Sequence, residues 1–134
     1  MERSARALWV WAPVVLLMAL IYFLSSLSEI PAPPGGMSYT GVHAVVYGVL
    51  GMFVLRGAAG ARWSGVTAGR VAIAVVVTGV YGATDEYHQL FVAGRSAEIR
   101  DLVADIVGAG VGTGLVWAWS IVLTMRERRK LDEL

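Results

Sequence analysis

The sequence predicts an all-α integral membrane protein, a four-helix transmembrane bundle with both termini cytoplasmic. Three observations predict it. The 134 residues are 57% hydrophobic and only 16% charged, against about 25% charged in soluble domains. The apolar residues come in long blocks rather than in alternation, the pattern of helices buried in lipid. The basic residues cluster in alternate connecting segments.

The first block, Leu8 to Leu24, is uncharged and is expected to form a helix over about 8–26. Arg3 and Arg6 precede it and Ser26-Leu27-Ser28 follows it, as in a secretory signal. The apolar run exceeds the ~7–15 residues of a signal core, so a retained first helix is expected. Pro31-Ala32-Pro33-Pro34-Gly35-Gly36 cannot continue a helix and reads as a connector or a lid.

The second block, Gly41 to Leu55, carries only His43 as an ionisable group, giving a helix over about 41–56. Val71 to Ala83 is charge-free and extends through Asp85–Gln89, giving a helix over about 70–90. A span needs ~20 residues, so both reach that length only by including a polar end. Gly94 before Arg95 allows a tight turn. The fourth block, Leu102 to Met125, carries only Asp105 and predicts a helix over about 100–125. These four helices are read as one domain over residues 1–134.

Nine of the eleven basic residues (Arg3, Arg6, Arg56, Arg62, Arg70, Arg126, Arg128, Arg129, Lys130) fall in the N-terminus, the second loop and the tail. That bias places those segments in the cytoplasm and the first and third loops outside. Trp9, Trp11 and Trp63 suit the inner interface. Multi-pass residence in the cell membrane follows. The outer ends of helices two, three and four then carry His43 and Tyr47, then Tyr81, Asp85, Glu86, His88 and Gln89, then Arg100, Asp101 and Asp105. Ionisable groups at such a place mark a functional site by default.

Helical spacing sorts these residues. His43 and Tyr47 share a face, as do Tyr81, Asp85 and His88 or Gln89, and Asp101 and Asp105. Gly108 and Gly112 continue the acidic stripe of helix four, with Gly110 and Gly114 one face over. Small residues at this spacing allow close helix approach, so helix four is expected at the centre of the bundle. The expected ligand-contacting set is His43, Tyr47, Tyr81, Asp85, Glu86, Gln89, Arg95, Asp101 and Asp105. Asp85, Glu86, Glu98, Asp101 and Asp105 outnumber Arg95 and Arg100. Ion pairing alone therefore leaves an acidic excess, although neutralisation of Asp85, Glu86, Asp101 or Asp105 by those arginines is the plainer reading.

Three chemistries use such a set. A carboxylate with a histidine performs acid–base catalysis, with Glu86, Asp85 and His43 as catalytic candidates. His43, His88, Asp85 and Glu86 are metal-ligand types, but their spacing matches no metal motif, so no metal and no cofactor is expected. Acidic and aromatic groups at an outer leaflet also bind polar headgroups. A net charge of +1 gives no sign of a nucleic-acid partner, and the absence of cysteine excludes disulfides and thiolate chemistry. Membrane lipids are the expected partners, with a lipid-linked or glycopeptide ligand. Oligomeric state is left open.

Tyr81-Gly82-x-x-Asp85-Glu86-x-x-Gln89-x-Phe91-Val92-x-Gly94-Arg95, then Asp101, together with His43-x-x-x-Tyr47-x-x-Leu50-Gly51, resembles the VanZ-like family of small bacterial membrane proteins. Ser25-Ser26 and Gly108 also fit. The chain departs from the family pattern at Tyr39-Thr40, where an Asp-Lys pair is common, at Ala93 for a proline, and at Asp105 for an asparagine. The family's namesake is associated with resistance to the lipoglycopeptide teicoplanin. The resemblance implies binding of a glycopeptide or lipid-linked headgroup at the extracytoplasmic face, with a contribution to glycopeptide resistance. An enzyme acting on a lipid or cell-wall precursor and a structural scaffold remain the alternatives.

Overall fold

The computed structural model describes residues 2–30 and 32–132; Pro31 of the first connector lies outside them, as do the side chains of Glu2 and Arg3. Four helices carry the chain: α1 (Glu2–Ser25), α2 (Tyr39–Ala58), α3 (Ala68–Gln89) and α4 (Ile99–Asp132). Two 3-10 turns, Pro34–Gly36 and Trp63–Gly65, lie in the first two connectors. There is no strand among the described residues. Three of the helices, over Ser4–Ser25, Tyr39–Ala58 and Ile99–Asp132, are long and apolar enough to cross a membrane.

α3 has the length, 22 residues or about 33 Å at 1.5 Å per residue. Its polar last turn keeps it out of that group. That polarity is turned inward, since Asp85, Glu86 and Gln89 are all buried. Ser38 caps α2 by accepting from the Gly41 N–H at 3.0 Å, and Thr67 caps α3 by accepting from the Arg70 N–H. α4 runs past its apolar block into the basic tail, because Arg126–Leu131 contains no helix breaker.

The tightest packing is between α2 and α4. A Cβ on Gly48 would lie 3.1 Å from the Gly108 carbonyl oxygen, and one on Gly112 would lie 2.5 Å from that of Gly48. A Cβ on Gly108 would strike the Ala44 carbonyl. The two backbones therefore touch, as small residues at four-residue spacing permit. The pairings Ala44–Gly108, Gly48–Gly112 and Gly51–Thr113 keep a nearly constant sequence offset, so α2 and α4 run parallel. Gly110 and Gly114 meet no neighbour; the glycine pattern packs on one face of α4 only.

α4 packs closely along both α2 and α3. α2 and α3 each pack against all three other helices, whereas α4 packs against those two and α1 lies to the side. Outward faces are apolar, with Leu16, Phe23, Val76, Val80, Val107 and Leu115 all exposed. Inward faces of α3 and α4 are small or polar: Ala74, Thr78, Gly82, Asp85, Glu86 and Gln89 on one, and Ala104, Asp105, Gly108, Gly112 and Thr113 on the other. Val14 and Ile21 of α1 with Tyr47, Leu50, Val54 and Leu55 of α2 complete an apolar core, and the apolar outward surface suits a hydrocarbon surround.

Candidate functional site

The parallel α2–α4 contact aligns the first turns of both helices. Thr40 Oγ1 donates to Asp101 Oδ1 at 2.5 Å, and His43 Nδ1 lies 2.9 Å from Asp105 Oδ1. α3 enters from the other side and brings Glu86 Oε1 to 4.0 Å from the same His43 nitrogen. Gly82 makes this approach feasible: a Cβ there would lie 2.6 Å from Asp105 Oδ2. His43, Glu86 and Asp105 thus converge from three helices.

Adjacent helical residues point about 100° apart, and this splits the Asp85–Glu86 pair. Glu86 turns to α4 and its loop, where Oε2 accepts the Glu98 N–H at 2.8 Å. Asp85 turns to α1, where Ser25 Oγ donates to Oδ1 at 2.6 Å, and Gln89 Nε2 donates to Oδ2 at 3.2 Å. The nearest carboxylate to His43 is consequently Asp105, not the pair.

Neutralisation by arginine is not realised among the described residues. Arg95 donates to the Ser25 and Leu24 carbonyl oxygens, latching the third loop onto the end of α1. Arg100 pairs with Glu98. Asp85, Glu86, Asp101 and Asp105 have no arginine or lysine partner in this set. Among the described residues, four buried side-chain atoms lack any hydrogen-bond partner: Tyr47 Oη, Thr78 Oγ1, Glu86 Oε1 and Asp105 Oδ2.

A cleft of about 290 Å³ opens between α1, α2 and the first connector. Its walls are Ile21, Leu24, Ile30, Pro33, Val42 and Val46, and its polar floor is Ser25, His43, Tyr47, Asp85, Gln89 and Arg95. A more polar hollow at the rim shares His43, Gln89 and Arg95 and adds Ser38, Thr40, Glu98, Arg100 and Asp101.

The sequence-predicted residues therefore fall into two connected groups. His43, Tyr47, Asp85, Gln89 and Arg95 face the cleft, while Glu86 and Asp105 lie behind His43. Asp101 sits at the rim. Tyr81 is the exception: it borders neither hollow, and its hydroxyl donates to the Met18 carbonyl at 2.6 Å, tying α3 to α1. His88 stacks on Tyr22 at 4.5 Å and meets Ser26 Oγ at 2.9 Å, away from the cluster. Ser25, Thr40 and Gly82 are absent from the sequence-derived set. No periodicity links Ser25 and Thr40 to partners some sixty residues away, or Gly82 to Asp105 on the next helix, though Ser25 is a polar residue ending an apolar helix.

The sequence model of the VanZ/LLP1 family matches residues 39–122. No curated protein and no solved structure matches the chain.

Proposed function

From its membership of the VanZ/LLP1 family, to which this chain belongs, and from the shape of the cleft, we propose that it binds an amphipathic envelope molecule at the extracytoplasmic face. Four spans with both termini in the cytoplasm are part of this reading. Support comes from the basic residues, nine of which lie at the opposite end of the helices from the polar cluster.

One observation carries the proposal. The cleft joins an apolar wall to a floor of carboxylate, carboxamide, imidazole and guanidinium. An acyl chain fits the wall and a polar head fits the floor. Gln89 and Asp85 already bond one another, so the floor is oriented before a ligand arrives. A glycopeptide bearing an acyl chain and a lipid-linked sugar share these features, and either would engage Gln89 and Arg95. Sequestering such a glycopeptide is the route by which the protein would contribute to resistance.

Teicoplanin and a lipid-linked disaccharide, applied separately to right-side-out vesicles bearing the protein, test this. Saturable binding of at least one is expected, weakened ~10-fold in Gln89→Ala or Arg95→Ala, since each loses one or two hydrogen bonds of ~1 kcal/mol. Equal binding to vesicles without the protein, or binding only to inverted vesicles, contradicts it. A second reading, an acid–base enzyme, draws on the His43–Asp105 contact beside the free Glu86 oxygen. Product formation in the same assay distinguishes it from binding alone.

A further inference from the structure

The geometry points to a divalent-cation site formed by His43, Glu86 and Asp105 where α2, α3 and α4 meet, independent of what the cleft binds. One ligand-type atom from each residue lies within 4.8 Å of the other two. His43 Nδ1 stands 2.9 Å from Asp105 Oδ1 and 4.0 Å from Glu86 Oε1. Both separations are within the ~4.4 Å that two ligands each ~2.2 Å from one ion can span.

Unpartnered oxygens supply the second argument. Glu86 is 6% exposed and Asp105 0% exposed, yet Glu86 Oε1 and Asp105 Oδ2 accept no hydrogen bond. A buried carboxylate oxygen without a donor is unfavourable, and two carboxylates within 4.0 Å of one imidazole nitrogen repel each other. Even a protonated His43 would leave two carboxylates with one positive charge. The nearby cations are already engaged: Arg95 on α1 carbonyls, Arg100 on Glu98. The surrounding acids only deepen the deficit, with Asp85 held by Ser25 and Gln89, and Asp101 by Thr40. A divalent cation removes it.

The local structure also has the features that hold a ligand set in place. The Glu98 N–H fixes Glu86 through its other oxygen, orienting Oε1 toward His43. Gly82 leaves room for the Asp105 carboxylate. One imidazole and two carboxylates form an N/O set suited to zinc or manganese rather than to thiophilic ions. Three protein ligands leave a position open for water or a ligand oxygen. His43 also lines the cleft, so that position adjoins it.

The test uses the full chain in detergent, dialysed against a chelator and titrated separately with Zn²⁺ and Mn²⁺. Retained metal is measured by mass spectrometry. About one ion per chain is expected for at least one of the two metals. Substituting groups that merely orient ligands costs ~10–100-fold in affinity, so Glu86→Gln and Asp105→Asn should cost ~100-fold or more. His88→Ala, which removes the other histidine, should bind as wild type. Should the carboxylate variants fail to fold, spin-echo spectroscopy of Cu²⁺-loaded wild type decides. A single imidazole nitrogen, retained in His88→Ala, is the expected signal. No stoichiometric ion in wild type, undiminished binding in the folded carboxylate variants, or loss of the signal in His88→Ala overturns the site.

Discussion

At the residue scale, the account turns on how two neighbouring carboxylates divide their work. Asp85 is satisfied by two donors and forms part of the cleft floor, while Glu86 keeps one free oxygen facing His43. The sequence made both conspicuous, because charges at the end of an apolar run have few reasons to be there. It could not assign their directions, which depend on where α1 and α4 lie around α3. Ser25 stood out only through the family pattern, and nothing local tied its hydroxyl to Asp85 sixty positions on. Ser25→Ala removes that donor without adding bulk. A charge-assisted bond to a buried acceptor is worth ~1.5–3 kcal/mol. Thermal unfolding in detergent should show that loss, with α1 protected less against hydrogen exchange than in wild type. Unchanged stability would mean that the bond is immaterial.

At the element scale, glycines decide which helix faces meet. The repeat Gly108–Gly112 was legible as a contact stripe, and the α2–α4 backbone contact is what it does. Gly110–Gly114 looked equivalent by spacing yet faces open space. Spacing reports periodicity, and only the partner's position says which of two faces is used. Gly108→Val should therefore force α2 and α4 apart, costing ~3 kcal/mol or more and lowering the yield of folded protein. Gly110→Ala should be neutral or stabilising by up to ~1 kcal/mol, since helix propensity improves and nothing is displaced. Equal effects for the two, read from yield and melting temperature, would contradict this packing. The polar end of α3 shows a related limit. Sequence composition alone counts it against a membrane span, and only the packing shows Asp85, Glu86 and Gln89 buried between neighbours.

At the scale of the whole molecule, the outward faces are apolar, and α3 and α4 turn small and polar residues inward beside the apolar core residues Tyr47, Leu50, Val54 and Leu55 of α2. The concentration of unusual residues near one end was legible from hydropathy blocks and basic-residue bias. The cleft was not, because its walls come from α1, α2 and a proline-rich connector whose relative placement no local pattern encodes. The proposed binding rests on that cleft. Photoactivatable lipid carrying a sugar head, added to membranes containing the protein, tests it most directly when cross-linked residues are mapped. Saturable labelling of Leu24, Val42 and Val46, competed by unlabelled lipid and reduced in Arg95→Ala, is expected. Uniform, non-saturable labelling of the outward residues Val76, Val80, Val107 and Val111, with none in the cleft, would contradict it.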